Sequence, residues 1–241
     1  PGGTILRGGG PATGERARAY EAGLDFYGVR DYQPGDELRR IHWPATAHHS
    51  RLMVIEFDRG SADSVTVVLD NRAGTEFGAG VETTLETAVT AAASLIHWAL
   101  SGEGAAGLAV DSPQGPRWLA ADSLEREHEM LEMLARLQAN GTMPISAMLE
   151  WAAPNAGTGG MICVITAAPD EGLPRAVASL GHWSAKADRI VVVALDAHSF
   201  DSRAGHETEM PTMLAAAGAA AMTVRRGDDL AEVLGRLVVA S

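Results

Sequence analysis

The sequence has 241 residues, 46% of them hydrophobic and 21% charged, which suits one large domain, or one domain with a smaller appendage, able to bury a full core. A formal charge of −12 excludes the basic footprint that nucleic-acid binding requires, and the single cysteine excludes a disulfide framework or a thiolate zinc site within the chain. Lacking a signal peptide and any apolar run near the ~20 residues of a membrane helix, the chain is expected in a reducing, cytoplasmic setting. It opens with Pro1 rather than Met and so reads as an excised piece, whose parent protein can tether it to the inner membrane through other parts.

The charge is uneven. Residues 1–63 hold eight Lys/Arg against nine Asp/Glu, so residues 64–241 carry the remaining −11. Residues 1–63 are Gly-rich and polar with short extended pieces, and residues 64–241 alternate apolar β-branched runs with Ala/Leu-rich stretches.

The first distinctive stretch is "VRDYQPGDELRRIHW" (29–43). Pro34 and Gly35 supply turn chemistry, Asp36 can cap one helical turn, and Leu38 and Ile41 fall on one side of it before Pro44 ends it. Arg30, Asp31, Asp36, Arg39 and Arg40 balance in sign, which favours an internal strut of ion pairs over capture of a charged substrate. Breaking such a buried pair typically costs about 3–5 kcal/mol, so a strut expects Asp36→Ala to lower the melting temperature. A docking surface expects normal stability and lost binding. His42, His48 and His49 are expected to be solvated or hydrogen-bonded rather than metal ligands. Trp43 and Trp98 are expected in the core. "RLMVIEF" (51–57) reads as a strand.

Beyond Ser64 the elements follow in order. "SVTVVLD" (64–70) is an interior strand. The stretch "VETTLETAVTAAASLIHWAL" has Leu85, Val89, Ala92, Leu95, Ile96 and Ala99 at helical spacing and reads as a helix. "GLAVD" (107–111) is a strand, and "RWLAA" (117–121) a short edge strand. A helix with a capping-box-like start at Asp122 and Glu125 carries Leu124, Leu131 and Leu134 and closes at Asn140–Gly141. "MICVITA" (161–167), "RIVVVALD" (189–196) and "AMTVRR" (221–226) are strands. Helices follow them: one with Pro174 in its first turn, one ending at Gly218 and one capped by Asp228. Cys163, inside an apolar strand, is a buried structural thiol. Apolar strands alternating with helices predict a mostly parallel α/β sheet covered on both faces. Ligands on such sheets gather at the carboxyl edge, here in the loops after Asp70, Asp111, Ala167 and Asp196. None of these loops is a phosphate cradle, and no nucleophile elbow or zinc motif appears, so no cofactor and no enzymatic activity are expected.

From Gly23 to Asp70 the chain resembles the bacterial domain-of-unknown-function 58 family, whose signature run is F-x-G-[VL]-R-x-Y-x-P-G-D-x-x-R-x-I-x-W. Here Arg30, Tyr32, Pro34, Gly35, Asp36, Arg39, Ile41 and Trp43 carry it. The resemblance implies a von Willebrand factor A-like (Rossmann-like) sheet and a partnership with MoxR-type AAA+ ATPases in chaperone-like assembly. Von Willebrand A domains hold Mg²⁺ through D-x-S-x-S after the first strand, with a Thr and an Asp from other loops. This chain reads Asp70-Asn71-Arg72-Ala73-Gly74, so Arg72 and Gly74 replace both serines, leaving Asp70, Asn71, Arg72, Thr166 and Asp170 as a degenerate metal-site edge. Pro44 and His48 also depart from the Lys and Arg usual in the family. The reading is a non-enzymatic protein-interaction domain. The alternatives are a divalent-ion-dependent adhesion module using Asp70 with Thr166 or Asp170, and an unrecognised hydrolase.

Overall fold

The computed structural model describes residues 25–31, 41, 43, 46–47, 51–58, 64–102, 104–156, 160–183, 189–205 and 209–239. Tyr32, Pro34, Gly35, Asp36 and Arg39 of the signature lie outside the described residues, as do His42, His48 and His49. Two compact units divide the chain, Pro1–Gly60 and Ser61–Ser241.

In the first unit, β1 (Asp25–Asp31) pairs antiparallel with β2 (Met53–Asp58), placing Arg30 opposite Val54 and Asp31 opposite Met53. The register shifts between Phe26 and Gly28, so the signature begins on a bulged strand. Met53 is buried and its N–H donates to Thr46 Oγ1 at 2.9 Å. Ile41 is buried as well. Trp43 is 65% exposed, against the core position expected of it.

In the second unit, β3 (Val65–Leu69), β6 (Ala106–Val110), β7 (Arg117–Ala121), β8 (Met161–Thr166), β9 (Arg189–Leu195) and β10 (Ala220–Val224) form one sheet of order β10-β9-β8-β3-β6-β7. All pairings are parallel except β6 with β7, so β7 is the antiparallel edge expected of "RWLAA". A two-stranded β4 (Gly78–Ala79) and β5 (Glu82–Thr83) hairpin lies apart. The five residues of β3 are all buried, because a strand flanked by parallel neighbours has both faces covered. Val65, Val67 and Leu69 enter one core cluster and Val68 the other, as the two-residue period of a strand demands.

The first cluster is roofed by α1 (Thr84–Ser101), α2 (Leu124–Ala135) and α7 (Leu230–Val239). The second is roofed by α3 (Ile145–Ala152), α4 (Leu173–Trp183) and α6 (Met210–Ala216). This is the mostly parallel α/β sheet with helices on both faces that the sequence predicts. Thr83 caps α1, accepting from the Glu86 N–H at 3.2 Å, and Ala91, Ala92 and Ala99 let that helix lie close on the sheet. Trp98 is half-buried against the same cluster.

Three local expectations are corrected. Helix α2 has Ser123, not Asp122, as its N-cap, with no side-chain cap bond, and it ends at Ala135, well before Asn140–Gly141. Its buried residues are Met130 and Leu134, while Leu124 and Leu131 are exposed, because the helix touches its neighbours along one narrow stripe. Asp229, not Asp228, caps α7, accepting from Ala231 at 2.9 Å. Asp228 accepts from the Arg225 N–H at 2.8 Å and closes the turn before the helix. Helix α3 and the single turn α5 (Ala197–Phe200) are additions.

Candidate functional site

The sheet's carboxyl edge gathers the loops after the parallel strands β3, β6, β8 and β9. Asp196, after β9, pairs with Arg225 at 3.5 Å, and three further aspartates, Asp70, Asp111 and Asp170, stand on the other three loops. Each is satisfied in its own way.

Asp70 directly follows β3, with its side chain only 1% exposed. Its Oδ1 accepts from Arg72 Nε at 2.9 Å and from the Arg72 main-chain N–H at 3.2 Å. Its Oδ2 accepts from Arg72 Nη2 at 2.8 Å and from the Thr166 hydroxyl at 2.6 Å. This is the two-pronged guanidinium–carboxylate pairing that gives both strength and fixed geometry. Arg72 Nη2 also donates to the Ala168 carbonyl, tying the β3 loop to the β8 loop. The hydrogen bond to Asp70 raises the Arg72 pKa above its ordinary value; burial opposes this, and the charges of Asp70 and Asp170 add to it. Thr166 is buried and its Oγ1 accepts from the Ala168 N–H at 3.1 Å, so its hydroxyl is spent in both directions.

Asp111, at the end of β6, receives a different treatment. Its Oδ2 accepts from the main-chain N–H groups of Thr142 at 2.6 Å and Met143 at 2.8 Å, and Oδ1 from Ser112 at 2.9 Å. Burial alone would raise its pKa, but the N–H groups of Met143, Thr142 and Ser112 and the Thr142 hydroxyl hold it below the usual carboxylate range. Asn71 locks the same corner. Its Nδ2 donates to the Asp111 carbonyl at 2.9 Å and the Gln138 carbonyl at 3.0 Å, and its Oδ1 accepts from the Asp111 N–H at 3.0 Å. The main chain joins in, with Gly141 N–H donating to the Asn71 carbonyl and Ala73 N–H to the Gly141 carbonyl, both at 2.9 Å. A Cβ at Gly141 would sit 3.0 Å from Asp111 Cβ and 3.2 Å from the Asn71 carbonyl oxygen, so this close approach calls for glycine. Gly141 therefore bridges two loops rather than closing a helix.

Asp170, in the loop after β8, accepts from the Ser146 N–H at 3.0 Å and the Gly172 N–H at 2.9 Å. Against the effect of burial, the Ser146 N–H and hydroxyl, the Gly172 N–H and the charge of Arg72 lower its pKa. The sequence-derived set Asp70, Asn71, Arg72, Thr166 and Asp170 is thus brought to one edge. Asp70, Arg72 and Thr166 are in direct contact, Asp170 joins through charge, and Asn71 belongs to the Asp111 corner. Sequence reasoning placed the loop after Asp111 at this edge but missed the pairing of Asp111 with Thr142 and Met143 and of Asp170 with Ser146.

The residues present do not fit Mg²⁺. That ion wants near-octahedral oxygen ligands and keeps several waters. Both Asp70 oxygens are occupied by Arg72, whose guanidinium would lie against any second cation, and Gly74 contributes no side-chain oxygen. Among the described residues, no group of three or more His, Cys, Asp or Glu is placed to hold a metal ion. Cys163 is fully buried, and burial pushes its thiol up to about 12, which leaves it unreactive.

The model of the family described as "Protein of unknown function DUF58" matches residues 28–197. The chain belongs to this family. A curated relative, the "Uncharacterized protein YeaD" of Bacillus subtilis (strain 168), is 28% identical over 118 residues, covering 49% of this chain and 28% of that protein. The chain therefore spans well under two thirds of that relative's length. Among solved structures, the VWA domain of SpRpn10 is similar with a TM-score of 0.49 and 13% identity, covering 74% of this chain and 94% of that domain. For this DUF58 chain, the six-stranded order and the two helix layers establish the α/β architecture that the signature implies.

Proposed function

We propose that this chain is a non-enzymatic protein-interaction domain that docks onto a MoxR-type AAA+ ATPase in chaperone-like assembly. The observation that carries the reading is the closed state of the carboxyl edge. Asp70, Asp111 and Asp170 spend their oxygens on Arg72, Thr166 and main-chain N–H groups, which makes a rigid surface rather than a set of groups free to move protons. A hydrolase or an ion-dependent adhesion module would want those oxygens free. The partner class is what the resemblance in the signature implies, and the exposed Trp43 supports a contact within that signature, since tryptophan is enriched among residues that dominate binding energy.

No helix among the described residues is long and apolar enough to cross a membrane. We place the domain on the cytoplasmic side, tethered by other parts of its parent protein. Capture of the full-length protein by the AAA+ ATPase of the same genome tests the partner. Trp43→Ala is expected to keep the wild-type melting temperature and to weaken capture at least tenfold. Undiminished capture by that variant removes Trp43 from the interface, and no capture of the wild-type protein removes the partner.

A further inference from the structure

The Asp70 corner holds a buried carboxylate at the one place where the sheet's loops converge, and the positive charge that neutralises it comes from the chain itself. We infer that the Arg72 guanidinium is a built-in cation standing where a divalent ion would otherwise neutralise Asp70, so that the residues present admit no Mg²⁺ or Mn²⁺ and the edge is set permanently.

Four oxygen atoms surround this guanidinium or share its carboxylate: Asp70 Oδ1 and Oδ2, Thr166 Oγ1 and the Ala168 carbonyl. All are hard ligands of the kind Mg²⁺ and Mn²⁺ take, and they come from two loops, after β3 and after β8. Arg72 contacts three of them directly and reaches the fourth through Asp70. The guanidinium carries its charge at every physiological pH, and its fork fixes two N–H directions onto one carboxylate. A divalent ion, by contrast, comes and goes with its concentration. A side-chain cation therefore neutralises Asp70 with no dependence on metal. Arg72 is only partly covered, with 18% of its side chain exposed, so its removal would open the corner to solvent and to ions. Asp170 adds further negative charge close by, registered in its effect on Arg72. The inference holds whether or not the same edge contacts an ATPase.

The test needs no binding partner. Purified protein is titrated with Mn²⁺, free Mn²⁺ is followed by its paramagnetic resonance signal, and melting is recorded with and without millimolar Mg²⁺. The wild-type chain is expected to deplete no Mn²⁺ and to melt at the same temperature in both conditions. Arg72→Ser is expected to melt several degrees lower without metal, to recover most of that loss in Mg²⁺ but not in NaCl of equal ionic strength, and to bind one Mn²⁺. Asp70→Asn combined with Arg72→Ser is expected to show no response to either ion. Wild-type Mn²⁺ binding that disappears in Asp70→Asn would overturn the proposal outright. So would an Arg72→Ser protein whose melting, or whose soluble yield if it folds poorly, is unchanged by Mg²⁺.

Discussion

Asp111 shows how much one carboxylate does at this edge. It is 4% exposed and accepts main-chain N–H groups from Ser112, Thr142 and Met143, joining the end of β6 to the segment that starts α3. In Asp111→Asn the amide NH₂ would face donors with nothing to accept them, and stranding a buried donor costs about 1–3 kcal/mol. The variant is therefore expected to be less stable at neutral pH by about 2–3 kcal/mol. The pH dependence has a definite sign. The folded pKa of Asp111 lies below its unfolded value, so its contribution is complete above about pH 4 and fades as acid protonates the folded form. Asp170 behaves alike. Urea unfolding at pH 7 and pH 3 checks this: the gap between wild type and Asp111→Asn narrows in acid, and a constant gap would refute the account. Sequence reasoning found Asp70 and Arg72 because they are two residues apart within one recognisable loop. It named the loop after Asp111 but missed the corner's cross-loop bonds, because Thr142, Met143 and Gln138 lie 31 to 67 residues from the Asp111 and Asn71 groups they meet, and local pattern carries no trace of such pairings.

At the scale of elements, the sheet divides the interior into two separate cores. Ile96 on α1 belongs to one, and Ile162 on β8 to the other. Trimming a buried isoleucine to valine costs about 0.5–1.5 kcal/mol, and changes at sites with no shared partner add to within about 0.5 kcal/mol. Ile96→Val and Ile162→Val are therefore expected to combine additively in a double-mutant cycle measured by chemical denaturation. A coupling energy well above 0.5 kcal/mol would mean that the two layers communicate through the sheet. The strands were legible because both faces of a parallel sheet are covered and the apolar runs are unbroken, as in "VTVVL" and "MICVIT". Helix α3 was legible in principle: Ile145, Met148, Leu149 and Ala152 recur at helical spacing and are all buried. It escaped notice because it has only eight residues, follows Pro144 and has no side-chain cap to announce it. On α2 the leucines misled, since exposed Leu124 and Leu131 lie beside the stripe that Met130 and Leu134 bury.

Taken whole, the chain joins a nearly neutral signature unit to a sheet unit carrying most of the −12. Both core clusters are built from residues between Val65 and Leu234, so the sheet unit holds a two-layered core of its own. A field of that sign steers positively charged partner surfaces, and the attraction weakens as salt screens it. The fragment Ser61–Ser241 is therefore expected to fold alone and to melt in one cooperative transition. In the proposed docking role it loses capture by the AAA+ ATPase, because Trp43 has gone with the signature. A strut predicts a different outcome. If the signature braces the sheet through buried ion pairs, its loss removes a large part of the ~5–15 kcal/mol that holds a typical domain folded, and the fragment melts broadly or fails to fold. Trp43, exposed within the signature, fits contact with a partner. Calorimetry and capture on the one fragment separate these roles: a sharp transition with lost capture assigns docking, and a lost transition assigns the strut.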